Sequence, residues 1–245
     1  MEAPRAIPSG EVHMLFRDRI DAGRQLAQRL SAYAGRADVV IVGLPRGGVP
    51  VAAEVAKALH VPLDIMVVRK LGVPGHEELA LGAIAPGDAL VVNPGVMAQL
   101  REPEVALHEA MARETKELER REQEYRVARP SIDLRGKTAL VVDDGLATGA
   151  TMHAAVEALR RRGVMQCVVA VPVAAWESRR SFEDAGIEVV FVFEPQEFHA
   201  VGRHYEDFTQ TTDEEVLQVL REVLEGTQDS CRSFTIIPPQ LQKGE

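Results

Sequence analysis

The sequence predicts an α/β protein built on a doubly wound, mostly parallel sheet. Two observations carry that expectation. Apolar, β-branched runs of strand length recur at 38–43, 63–68, 139–142, 167–173 and 187–193, and most of the intervals between them hold helical periodicity. Two of these runs, 38–43 and 139–142, stop in a loop of small residues just before a helix. That strand–loop–helix pattern gathers ligand loops at the carboxyl edge of such a sheet.

At 245 residues the chain has room for one large domain with tails or for two small ones. The single alternation fits one domain over 15–225, between a mobile leader at 1–14 and a disordered tail at 226–245. Hydrophobic content of 46% is ample for a core, while a net charge of −9 with only 4% aromatics lacks the basic footprint and stacking platforms of a nucleic-acid binder. Cys167 lies in an apolar run and Cys231 in a polar stretch, so a reducing compartment is expected rather than a disulfide framework. No CxxC or HExxH pattern occurs, and no run of about 18 uncharged apolar residues suggests a membrane span. A soluble, cytoplasmic protein is the expectation.

In chain order, Ile20, Leu26, Ala27, Leu30 and Tyr33 recur at helical spacing and predict a helix over 18–33, with Arg17 and Arg19 read as a solvated helix start. The strand at 38–43 leads into Leu44-Pro45-Arg46-Gly47-Gly48 and a helix over 49–59. Taken alone, the loop is a tight turn with a solvent-facing Arg46. Its alternative role is an anion site, with the amides of Gly47 and Gly48 and the planar Arg46 fork as donors. The strand at 63–68 ends at Arg69 and Lys70, and the Gly- and Pro-bearing stretch 71–78 predicts a mobile loop. A short hairpin is expected from 81–85 and 89–92, then a long solvated helix from Pro103 to Val127. That helix carries Glu109/Arg113, Glu117/Arg121 and Glu122/Arg126 pairs and an apolar stripe of Val105, Leu107, Met111 and Leu118.

The run 139–142 ends in Asp143 and Asp144, then passes through Gly145, Ala147, Thr148, Gly149, Ala150 and Thr151 to a helix expected near His153. Small residues expose backbone N–H groups, a helix start adds unpaired donors and a positive dipole end, and two threonines add hydroxyls: a phosphate fits there. Adjacent carboxylates at the strand end are acceptors suited to neighbouring sugar hydroxyls. The structural alternative is a capped helix behind a tight connection. Neither the Walker A pattern nor the dinucleotide fingerprint is present.

The stretch Val141-Val142-Asp143-Asp144-Gly145-Leu146-Ala147-Thr148-Gly149-Ala150-Thr151 resembles the phosphoribosyl pyrophosphate (PRPP) signature of the type I phosphoribosyltransferases, particularly largely uncharacterised bacterial members. The resemblance covers about residues 15–225 and implies a Rossmann-like fold with a small hood and a flexible loop. It implies that Asp143 and Asp144 hold the ribose hydroxyls and that Ala147 to Thr151 hold the 5-phosphate. Arg46, Gly47 and Gly48 resemble the pyrophosphate loop, and Arg69 and Lys70 the start of the hood loop. The resemblance further implies transfer of ribose 5-phosphate to a nitrogenous acceptor such as a nucleobase, homodimers, and Mg²⁺ bound mainly through substrate oxygens, with Asp143 and Asp144 only indirectly involved. Arg46, Lys70 and Asp144 would be the catalytic groups, the cations acting on pyrophosphate and the carboxylate favouring positive charge at C1. Beyond the last strands (167–173 and 187–193, with a helix over 176–185 between them), the segment 194–213 resembles the acceptor-binding stretch of purine-type members through Phe198, Tyr205 and Asp207, but with insertions. Its aromatics serve equally as a clasp closing the sheet edge. A PRPP-sensing protein without turnover is the alternative function. A last short helix is expected over 214–224.

Overall fold

Five of the apolar runs become five parallel strands of one sheet: β1 (Val39–Gly43), β2 (Leu63–Ile65), β6 (Thr138–Val142), β7 (Gln166–Val173) and β8 (Glu188–Phe193). They lie in the order β2-β1-β6-β7-β8. The structure, a computed structural model, describes residues 16–128 and 131–232, the side chains of 77, 78 and 224–232 excepted. The expected leader, 1–14, and residues 233–245 of the expected tail lie outside the described residues.

Both faces of the sheet are covered, which is why the strands read as unbroken apolar runs. Val39, Ile41, Leu140, Val168 and Ala170 point into one core, beneath α1 (Arg19–Arg29), α2 (Gly48–Leu59) and α7 (Asp213–Arg232). Val40, Ala139, Val141, Val169 and Val171 point into the other, beneath α5 (Ala150–Arg161) and α6 (Trp176–Asp184). Strand order reverses between β1 and β6, because the chain first winds outward to β2 and then returns. Gly43 pairs in register with Val142, so the loops leaving β1 and β6 emerge side by side at that reversal.

Beside this sheet, β3 (Arg69–Val73), β4 (His76–Ala85) and β5 (Ala89–Val92) form an antiparallel sheet. The stretch 71–78, expected as a mobile loop, is therefore mostly a hairpin. Its Gly and Pro residues are turn and bulge signals: Gly75 takes φ 80° beside Pro74, and the register shifts on both sides of Gly72. Leu71 and Val73 are buried, and that burial holds the strands.

A four-residue helix, α3 (Pro94–Met97), precedes α4 (Pro103–Ala128), which is less solvated than expected. Tyr125 is fully buried and Val105 of the expected stripe is 52% exposed. Arg113 pairs with the adjacent Glu114 rather than Glu109. Near its end, Arg126 donates to the buried Asp64 at 2.5 Å and to the Ile65 carbonyl at 2.9 Å. Asp64 also accepts from the Ile65 and Ile132 amides. Removing one partner of a buried ion pair leaves an uncompensated charge. Arg126→Met is therefore expected to lose about 3 kcal/mol of stability, and an unchanged urea midpoint would contradict the role assigned to this pair.

Element boundaries also differ from expectation, and the strand expected over 63–68 ends at Ile65. Helix α1 ends at Arg29 and a 3₁₀ turn, Ser31–Tyr33, completes the segment, while α7 runs past Gly226 to Arg232. Helix α5 begins at Ala150 rather than near His153, because Gly149 takes the left-handed φ of 75° and starts the helix there. Thr151 is thereby placed in its first turn.

Candidate active site at the strand-order reversal

The loop Leu44–Gly47 and the loop Asp143–Gly149 touch. A Cβ on Gly47 would stand 2.0 Å from Asp144 Oδ2, and one on Gly48 would stand 2.7 Å from the Val142 carbonyl oxygen and 2.8 Å from Asp143 Cα. At 48 only glycine lets the two backbones approach so closely, and at 47 only glycine leaves room for the Asp144 carboxylate. The Pro45–Arg46 peptide bond is cis. Arg46 is half-buried and forms no ion pair among the described residues. Its charge acts on Tyr125, whose hydroxyl donates to Asp213 and is held above the usual tyrosine range by burial and that carboxylate.

On the β6 side, the loop offers a row of donors. Among the described residues, the backbone N–H groups of Ala147, Thr148, Gly149, Ala150, Thr151 and Met152 have no protein acceptor. They surround the amino end of α5, so donors and dipole converge on one point. The loop is pinned at its base, where Leu146 N–H donates to the Val173 carbonyl and Ala175 N–H to that of Leu146, both at 2.8 Å. Gly145 lies against Val201, where a Cβ would meet Val201 Cγ1 at 2.6 Å.

The two carboxylates are not equivalent. Asp144 Oδ2 receives both Nε and a terminal nitrogen of Arg19 at 2.9 Å, and Arg19 also donates to the Thr209 carbonyl at 2.7 Å and stacks over Phe208 at 4.1 Å. Asp143 Oδ1 accepts the Asp144 amide at 2.9 Å, and its other oxygen has no protein donor among the described residues. Burial, and then the neighbouring Asp144 charge, push the Asp143 pKa well above the ordinary aspartate value, with Lys70 and Arg19 opposing. Burial also raises Asp144, opposed chiefly by Arg19. Arg19 was read from sequence as a solvated helix start, and nothing local distinguishes it, since its partner lies 125 positions away.

Arg69 and Lys70 part company. Successive strand residues point to opposite faces; Arg69 turns to α4 and binds Glu114 at 2.7 and 2.9 Å, while Lys70 is exposed, acts on Asp143 and forms no ion pair among the described residues. Of the pair, Lys70 alone faces the acids. The 194–213 segment folds back as an aromatic clasp. Tyr205 packs on Phe16 and Phe208 and donates its hydroxyl to the Asp144 carbonyl at 2.6 Å. Phe198 stacks on His204, and Asp207 accepts from Thr209 N–H and Oγ1. Of Phe198, Tyr205 and Asp207, Tyr205 lies against the acid pair, and all three are engaged with protein partners.

Among the described residues no cluster of three or more His, Cys, Asp or Glu is placed to hold a metal ion, and no helix is long and apolar enough to cross a membrane. The free Asp143 oxygen suits a cation that is held mainly by a substrate's oxygens. A recess of about 820 Å³ lies away from this site, at the amino ends of the strands. It is lined by Arg126, Arg135 and Arg162 alternating with Glu119, Glu122 and Asp133.

Comparison with known proteins identifies the family. A protein of Mycobacterium tuberculosis strain H37Rv, provisionally named a phosphoribosyl transferase, is 48% identical over 206 residues, and its counterpart in strain CDC 1551 matches equally. Those residues are 84% of this chain and 46% of the relatives, so the chain spans about half their length. The crystal structure of TT1426 from Thermus thermophilus superposes with a TM-score of 0.72 at 44% identity, covering 85% of this chain and 99% of that one. The model of the phosphoribosyl transferase domain matches residues 13–207, which contain both glycine loops, the acid pair and Lys70, and the chain belongs to that family.

Proposed function

We propose that the protein transfers ribose 5-phosphate from PRPP to a nitrogenous acceptor and releases pyrophosphate. The observation that carries this reading is the contact of two anion-type loops across one pair of carboxylates. In this reading the amides of Ala147 to Thr151 hold the 5-phosphate, and Asp143, with Asp144 behind it, accepts from the ribose hydroxyls. Arg46, the Gly47 amide and Lys70 face the pyrophosphate; the Gly48 N–H, expected from sequence as a further donor, instead donates to the Leu44 carbonyl at 3.0 Å. The C1–O bond breaks with its electron pair leaving on pyrophosphate, where Arg46 and Lys70 offset the growing negative charge. The carboxylates favour positive charge at C1, the acceptor nitrogen's lone pair forms the new bond, and that nitrogen then loses its proton to water. Bound Mg²⁺, held chiefly by PRPP oxygens, supplies further charge neutralisation.

A PRPP sensor without turnover is the second reading. It is favoured by the engagement of Tyr205 and Asp207 with protein partners, which leaves no assigned acceptor contact. One experiment separates the two: calorimetric titration of PRPP with Mg²⁺, followed by pyrophosphate release against a panel of nucleobases. Binding with release supports the transferase, binding without release on any acceptor supports the sensor, and absence of binding removes both.

A further inference from the structure

We infer that Ser178, on α6 and outside the signature, is a positioning residue that aims the phosphate cradle; the inference rests on the proposed role of the 147–151 amides. Ser178 is 8% exposed, and its hydroxyl donates to the Ala147 carbonyl across 31 positions of sequence. In a planar trans peptide the carbonyl of one residue and the N–H of the next point in opposite directions. Fixing the Ala147 carbonyl on α6 therefore turns the Thr148 N–H away from α6, toward the open side where the other unpaired amides lie.

Among the described residues, nothing else sets that peptide plane. Upstream, Leu146 is held by its two bonds to Val173 and Ala175. Downstream, Gly149 accepts from His153 N–H at 2.8 Å and lies against Phe182, whose ring stacks on His153 at 3.8 Å. Between these anchors Ala147 and Thr148 are exposed, and among the described residues the Ser178 hydroxyl is the side-chain contact that either backbone receives. Near the start of α6 the serine is not occupied in capping, since the capping position is Ala175 with no side-chain hydrogen bond. The bond is only part-buried and Ala147 itself is exposed, so water can replace the hydroxyl, and the bond orients more than it stabilises.

The test is to titrate ribose 5-phosphate and Mg²⁺-pyrophosphate separately into the wild type, Ser178→Ala and Ser181→Ala, with thermal melts of each. Ser181 lies one turn on, in contact with His153 but not with the loop. The expected result is a roughly tenfold weaker ribose 5-phosphate affinity for Ser178→Ala alone, with pyrophosphate affinity and melting temperature near wild type, the scale expected for one mis-aimed hydrogen bond to a charged group. Wild-type ribose 5-phosphate affinity in Ser178→Ala would overturn the inference and leave the site intact. Equal loss of both ligands, or the same loss in Ser181→Ala, would overturn it in favour of general packing by α6. Failure of the wild type to bind ribose 5-phosphate would remove the phosphate site itself, and the inference with it.

Discussion

Asp143→Asn is expected to raise the melting temperature of the unliganded protein at neutral pH and to weaken PRPP binding by about ten- to a hundredfold. Burial and the adjacent Asp144 charge favour the neutral form of Asp143, so its folded pKa lies above that of the unfolded chain. Between those two values the folded state holds more protons than the unfolded one. Stability therefore falls as pH rises through that interval and stays lower above it. Asn removes the buried charge and keeps an oxygen for the Asp144 amide, a change expected to add about 0.5–2 kcal/mol. It also removes the charged acceptor proposed for a ribose hydroxyl. Melts at pH 8 and at acid pH check the stability half: the gain should shrink at acid pH, where the wild-type carboxyl is itself neutral. A lower melting temperature at pH 8 would show that Asp143 is a structural acid rather than a strained functional one.

What the sequence made legible was whatever one strand, one loop and one helix settle among themselves. The five core strands are continuous apolar runs because both faces are covered, and that pattern needs no partner to be read. The acid pair and the 145–151 loop are adjacent in the chain, so their residue types alone mark them as a candidate site. The hairpin over 71–78 was not legible: Gly72 and Pro74-Gly75 punctuate a bulged strand pair as they would punctuate a loop, and burial of Leu71 and Val73 decides between them. The separation of Arg69 from Lys70 depends on the same strand, since only a pleat sends neighbours to opposite faces.

Contacts that join distant segments were hidden for a different reason. Arg19 reaches Asp144 from 125 positions away, and Ser178 reaches Ala147 from 31. Nothing in either local sequence marks the residue. Yet Arg19 changes the reading of the acid pair itself, because it forms an ion pair with Asp144 at Oδ2 while Asp143 has none, although each acid keeps one oxygen without a protein donor among the described residues. The same guanidinium ties Asp144 to Thr209 and Phe208, so the aromatic clasp and the acids form one unit.

The contact between the two glycine loops leads to the second large expected effect. Gly48→Ala should cost about 1–3 kcal/mol of stability and reduce PRPP affinity or turnover by about a hundredfold, the scale of an ångström's misplacement in a reacting site. A Cβ at Gly48 meets backbone, the Val142 carbonyl oxygen at 2.7 Å and Asp143 Cα at 2.8 Å, and neither can swing aside. The loops must separate, which moves the pyrophosphate donors away from the ribose acceptors. Gly47→Ala is different in kind: its Cβ meets the Asp144 carboxylate, at 2.0 Å from Oδ2, so the side chain moves and its pair with Arg19 breaks, while the backbones stay close. Binding should then fall with a smaller loss of stability. Gly95→Ala is the control, since its Cβ would meet only Asn93 Oδ1 at 3.4 Å, away from the loops. Chemical denaturation and PRPP titration of the three variants test the geometry. If Gly48→Ala binds and unfolds like Gly95→Ala, the two loops do not act as one site, and the transferase reading loses the contact on which it stands.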